Sequence, residues 1–342
     1  MPINWLINIS NFPSKSVNST KSMITFNKDK EKLDLYFEKE GYGIIRIKIL
    51  ERNSYKIPGK NIFILGSDFF EKHKDIINKN TGFLQSSLGS TKDTKKLIFK
   101  RRIFNQLSIS LSCIKDIVQK IGNVMYIYPD ARDLMIFFKL LGYNIIPDTH
   151  VSEGGTFLKG IINEKYQFLI VSYDFVEYFK NLNIPILRAP PNIGELPENT
   201  HIDILFGIIN FNKKRIIAEK QYNGIFYVHF KTYKKIQEDI IKKQIWESLK
   251  NKLNEKKYLI RIYTPETKFQ NIGINFKFDV INNKLLTNAF PIKERKFLGK
   301  IGISVIAPEY SFSTNNYESG GVNCSYLIEK KIKKEFFINL SN

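Results

Sequence analysis

The chain has 342 residues, 43% of them apolar and 25% charged, and carries a net charge of +20 from 53 Lys and Arg against 33 Asp and Glu. That length suits two domains or one large α/β unit, the apolar share supports a sizeable core, and no run of about 18 uncharged apolar residues is present to cross a membrane. Cys113 and Cys324 are the only cysteines, too few for a disulfide framework or a zinc finger, so a reducing, cytoplasmic setting is expected.

A charge of this size suits a polyanionic partner. The lysines, however, are spread along a sequence rich in Lys, Asn and Ile throughout. The basic runs are short: Lys95-Lys96, Lys100-Arg101-Arg102, Lys213-Lys214-Arg215 and Lys330-Lys331. None lies in an RNA-binding consensus or a helix-turn-helix pattern, so nucleic acid is not expected as a partner, and neither is a membrane. Met1 to Ile7 lacks a basic lead and a small-residue cleavage site, so no signal peptide is expected.

In chain order, Gly43 to Leu50 reads as a strand, Lys60 to Leu65 as a second, and residues 69–78 as helical. A Ser/Gly-rich loop, 82–90, delivers Thr91-Lys92-Asp93-Thr94, followed by a strand-like Leu97 to Lys100. A helix is expected over about 109–121, with Cys113 on its buried face as a packed thiol. From Asn123 the rhythm is clearer. Strand 124–128 leads through Pro129 into a helix over 130–141, which Gly142 ends. Strand 143–146, a loop with Ser152-Glu153-Gly154-Gly155, and strands 156–162 and 168–172 follow. The pattern then restarts with a helix over 174–182, a strand over 184–187, a loop over 190–200, and strands over 202–209 and 215–219.

Gly160-Ile161-Ile162-Asn163 recurs 47 positions on (160 to 207) as Gly207-Ile208-Ile209-Asn210. A third copy is expected from a helix over 233–253 through strand 258–262 to 276–286. A fourth ends in strand 302–306, a loop, and strand 321–328. Repeats of this length imply one architecture built from copies. Copies whose loops face one way bring Glu153, His201 and Cys324 together.

His201-Ile202-Asp203 stands at the mouth of an apolar run. In an extended strand residues i and i+2 share a face, so imidazole and carboxylate are expected to project together. Cys324 follows Gly320-Gly321-Val322-Asn323 and is expected to open a strand; glycines there allow close approach. A Cys is a nucleophile as thiolate, His201 suits proton transfer, and a carboxylate such as Glu153 suits orienting the imidazole. The four His, at positions 73, 150, 201 and 229, have no metal-ligand spacing. Neither a metal nor another cofactor is expected.

Glu153-Gly154-Gly155, His201-Ile202-Asp203 and Gly320-Gly321-Val322-Asn323-Cys324, in that order, resemble the guanidino-group-modifying superfamily of deiminases, dimethylarginine hydrolases and amidinotransferases. The resemblance spans about Asp93 to the end. It implies a five-bladed α/β propeller of ββαβ-type units, with residues 1–90 a divergent N-terminal part, 91–342 carrying the motifs, and the whole one compact catalytic domain. It implies Cys324 as nucleophile, His201 as acid and base, and Glu153 as the acid that holds His201. Asp203 and Asp93 would be the two carboxylates that clamp the guanidinium, with Asp68 and Asp130 as rivals to Asp93. The sequence departs from the pattern at Thr156, where many members place an acid, and at Asn323, where several place His. Glu-Gly-Gly resembles the deiminases more than the amidinotransferases. The expected activity is therefore hydrolysis of a small-molecule or peptidyl guanidine, arginine or a derivative, through an amidino-cysteine. Transfer to an amine acceptor and a non-catalytic basic binding role remain the alternatives. The oligomeric state is left open.

Overall fold

A computed structural model describes residues 4–11, 21–49, 62–65, 75, 114–129, 131–148, 150–151, 154–162, 166–191, 201–267, 270–309, 321–329 and 332. The chain divides into two compact units. The first takes Met1–Glu153, Ser313–Ser319 and Ser325–Asn342; the second takes Gly154–Phe312 and Gly320–Cys324.

Both units are built from one repeated motif, a hairpin of two antiparallel strands, a helical crossover, and a third strand parallel to the second. The described residues of the first unit hold two such sheets. In one, strands β4 (Val118–Ile121), β5 (Val124–Ile127) and β6 (Asn144–Pro147) are joined through helix α2 (Arg132–Leu140). The other has the order β16-β1-β2-β3, and it is assembled from both ends of the chain. Here β16 (Leu327–Glu329) lies antiparallel to β1 (Trp5–Asn11), and helix α1 (Lys21–Lys39) leads to the parallel β2 (Gly43–Ile49), followed by β3 (Ile62–Leu65).

The described residues of the second unit hold three. Strands β7 (Phe157–Ile162), β8 (Tyr166–Ser172) and β9 (Ile186–Ala189) enclose the short helix α3 (Val176–Phe179). Strands β10 (Phe206–Ile217), β11 (Lys220–His229) and β12 (Tyr258–Tyr263) enclose α4 (Phe230–Gln237) and α5 (Ile240–Glu255). Strands β13 (Lys277–Asp279), β14 (Lys284–Leu286) and β15 (Ser304–Ile306) enclose α6 (Ile292–Lys300). The five small sheets of the described residues are the set that a five-bladed α/β propeller requires, so the fold class implied by the resemblance holds.

The middle strands read as unbroken apolar runs because both their faces are covered. Phe168 to Ser172 of β8 and Ile225 to His229 of β11 are buried at every position. One core of the second unit gathers Phe206, Phe226 and Trp246 with Leu187 and Ile202; another gathers Tyr227, Tyr263, Phe276 and Phe290.

Several elements differ from the sequence reading. The helix expected over 109–121 is, from Ile114, a single 3-10 turn and then β4. Gly122-Asn123 closes a two-residue hairpin between Ile121 and Val124, with Gly122 at φ +60°, and that turn outweighs helix propensity. Strand 215–219 belongs to β10, which turns at Ala218 and Glu219 into β11. The helix expected over 174–182 is 3-10 at both ends, with one α turn between. The one expected over 233–253 is two helices, because Asp239 accepts from Lys242 N and caps the second. Strand β1 and helix α1 have no counterpart among the elements expected from the sequence. Of the helix expected over 69–78 the described residues hold only Asp75, which is helical; the strand expected over 97–100 and Cys113 lie outside the described residues.

Candidate active site

The local structure around the His-x-Asp motif is not a strand. Ile202–Ile204 is a 3-10 turn, His201 is its N-cap at φ −73° and ψ 95°, and β10 begins only at Phe206. The same-face argument for an extended pair therefore fails. The turn buries Asp203 completely while His201 stays half-buried. Ile202 faces the apolar core and secures the turn, with its N–H donating to Gly155 O at 2.6 Å.

Gly155 of the acid-Gly-Gly loop lies directly beneath the His201 ring. A Cβ built on Gly155 would fall inside van der Waals contact of His201 Cγ and Nδ1. The loop and the imidazole thus meet as the repeat suggested, and only glycine allows so close an approach. Glu153 itself lies outside the described residues, as do Asp93, Asp68 and Asp130.

Cys324 does not open a strand either. It sits in the four-residue helix α7 (Val322–Ser325) and is 2% exposed. Its Sγ donates to Asp203 Oδ2 at 3.2 Å, across 121 positions of sequence. Two amides frame this pair. Asn275 Nδ2 lies 2.8 Å from Asp203 Oδ2, 3.1 Å from Asp203 O and 3.2 Å from Cys324 Sγ. Asn323 Nδ2 donates to the same Oδ2 at 3.2 Å, while Asn323 Oδ1 accepts from Lys277 Nζ at 3.2 Å. A buried carboxylate in low dielectric needs such donors to stay ionised.

The arrangement brings together a thiol and a buried carboxyl group, with an imidazole two positions from the latter in sequence. Asn275 was not picked out by sequence: one Asn in an Asn-rich chain, outside any repeat motif, carries no signal. Lys277 reaches the site through Asn323. Arg261 is committed elsewhere. It pairs with Glu294 through two hydrogen bonds of 2.9 and 2.7 Å and lies over the Phe297 ring. His229 is buried and caps α4 by accepting from Lys231 N; burial, and then Lys231, push its pKa down to about 4. Exposed His150 donates its backbone N–H to Asp148. Among the described residues no group of three or more His, Cys, Asp or Glu could hold a metal ion, and no helix is long and apolar enough to cross a membrane.

No family model and no curated protein matches the sequence. Solved structures do. The chain superimposes on ArgZ, an arginine dihydrolase from the ornithine-ammonia cycle in cyanobacteria, with a TM-score of 0.52 and 11% identity, covering 97% of this chain and 40% of that one. It thus spans about two fifths of that protein's length. The N-terminal domain of ArgZ matches with a TM-score of 0.47 and 11% identity over 95% of this chain and 97% of that one. A dimethylarginine dimethylaminohydrolase adduct matches with a TM-score of 0.46 and 10% identity over 95% and 99%. The likeness to ArgZ establishes the fold.

Proposed function

We propose that the chain is a cysteine-dependent hydrolase of a guanidino compound, arginine or a derivative. The observation that carries this reading is the Cys324 thiol held 3.2 Å from the fully buried carboxylate of Asp203. A buried carboxylate is a poor neighbour for a thiolate, since like charges repel. It is a good partner for a planar cation, which it can bind through two parallel hydrogen bonds. A guanidinium seated on Asp203 offsets the negative charge beside the sulfur and sets its central carbon against Sγ. The neighbouring fold is that of an arginine dihydrolase, which agrees with this substrate class.

In the proposed sequence the Cys324 thiolate attacks the guanidinium carbon. The C–N bond to the leaving nitrogen breaks as His201 gives that nitrogen a proton. His201 then takes a proton from water, the hydroxide attacks the amidino carbon, and the C–S bond breaks. The ureido product leaves, its extra proton passing to the released ammonia or amine, and the thiolate is restored. Glu153 holds the imidazole and Asp93 is the second clamp. A cytoplasmic, reducing setting keeps Cys324 available as a free thiol.

The test is incubation with arginine, agmatine and arginyl peptides, scored for ureido product, ornithine and ammonia. Haloacetamidine labelling of Cys324 is read by mass spectrometry. We expect product from at least one guanidine and selective labelling, with both lost in C324A. Amidino transfer to an added amine without hydrolysis would replace water by an amine acceptor. No product and no selective label, with salt-dependent retention on heparin, would leave a non-catalytic basic protein and end the enzyme reading.

A further inference from the structure

We infer that Asn275 is the positioning residue of the site, an amide that fixes both the nucleophile loop and the acid and sets the ionisation of the Cys324 sulfur. The inference rests on Cys324 being the nucleophile, as proposed above, and adds a residue that none of the three motifs contains.

Asn275 addresses the cysteine segment with its side-chain amide and its backbone carbonyl. Its side-chain Oδ1 accepts from Gly321 N at 3.0 Å and from Cys324 N at 3.2 Å, and its backbone O accepts from Asn323 N at 3.0 Å. Helix α7 is too short to satisfy its leading N–H groups internally, and Asn275 caps them from another part of the chain. Gly321 allows this approach, because a Cβ there would lie 2.9 Å from Asn275 Cβ, O and Oδ1. On its other side, Nδ2 donates to Asp203 Oδ2, Asp203 O and Cys324 Sγ. The amide has one orientation that works. The oxygen must face the N–H donors and the nitrogen must face the carboxylate and sulfur. Asn275 is fully buried, as is Asp203.

The consequence is chemical as well as structural. A donor on sulfur favours the thiolate, whereas the carboxylate beside it opposes ionisation. Of the charged and titratable groups in this network, Asp203 contacts the thiol directly, Lys277 acts through Asn323, and His201 is the N-cap of the turn that carries Asp203. Asn275 donates to the sulfur and the acid together.

Asn275→Asp separates this role from packing. It keeps the shape and the acceptor for Gly321 and Cys324, but turns the donor into a second carboxylate facing Asp203 and Sγ. The readout is the pH profile of iodoacetamide alkylation of the full chain. It is followed at the Cys324 peptide by mass spectrometry, which separates it from Cys113, and is run beside a thermal melt. We expect the alkylation midpoint to rise by about one pH unit or more, with kcat on a guanidine reduced more than KM is changed. Where Asn275→Asp does not fold, Asn275→Ala serves, since it removes the donor without adding charge; its midpoint is also expected to rise. A wild-type midpoint in the folded variant overturns the inference, whatever the melting temperature does. Alkylation needs no guanidine, so an altered midpoint in a protein that turns over no guanidine would reject the substrate and leave the role of Asn275 standing.

Discussion

Gly155 is the floor on which the His201 ring rests, and its carbonyl anchors the turn that buries Asp203. The contact ties the acid-Gly-Gly loop to the imidazole through backbone alone, independent of the acid that precedes it. Gly155→Ala would force the ring aside, because the new methyl would overlap Cγ and Nδ1. The turn below it would keep its hydrogen bond from Ile202. A displacement of about 1 Å in a proton-transfer group lowers turnover on the order of a hundredfold. We expect kcat on a guanidine to fall by that order with haloacetamidine labelling of Cys324 nearly unchanged, measured on one preparation. Loss of both together would show that the glycine supports the whole site rather than the imidazole. The order of the motifs was legible in sequence; the contact of Cys324 with Asp203 was not. What was not legible is the geometry between them. Period-2 alternation placed His201 and Asp203 on one face, but a 3-10 turn rotates them apart, and the apolar Ile202 is held by the core instead.

At the scale of elements, the repeated Gly-Ile-Ile-Asn has a structural meaning. Asn210 of β10 reaches β7 of the preceding sheet: its Nδ2 donates to Lys159 O at 3.0 Å, and its Oδ1 accepts from Ile161 N at 2.9 Å. Tyr258 of β12 donates to the same oxygen at 2.7 Å. One side chain thus joins two sheets of the second unit. Asn210→Ala strands a backbone donor and acceptor, at about 2–3 kcal/mol, which urea unfolding should show as an earlier midpoint with unchanged slope. Asn210→Asp is expected to be no better, since a carboxylate cannot donate to Lys159 O. His229, at the end of β11, offers a second element-level test. Its folded pKa, about 4, lies below the unfolded value near 6.5. The unfolded chain therefore binds the proton first, and stability is lost as pH falls from 6.5 towards 4, up to about 3 kcal/mol. His229→Asn keeps a capping acceptor for Lys231 but does not titrate. Urea midpoints of the variant are expected to fall less steeply across that window; parallel slopes would assign the acid sensitivity elsewhere.

For the whole molecule, the repeat was the strongest signal in the sequence. Copies with long apolar central strands, such as β8 and β11, stood out because burial on both faces leaves an unbroken run. The sheet made from both chain ends did not stand out, since its strands β1 and β16 are neighbours only in space. The charge is the remaining whole-molecule property. A net +20 acts on a substrate over roughly 30 Å at 0.01 M salt and about 8 Å at 0.15 M. Agmatine carries two positive charges, whereas arginine offsets one of its two with a carboxylate. The long-range field therefore penalises agmatine more, and only at low salt. Contacts inside the site, with Asp203 and its amides buried, are screened far less. Whatever preference those contacts set, the ratio of kcat/KM for arginine to that for agmatine is expected to fall as salt rises from 0.01 to 0.15 M, on the order of threefold or more. Steady-state kinetics at four or five ionic strengths measure it. A flat ratio would mean that acidic groups around the entrance cancel the net field locally, and a rising one that they outweigh it.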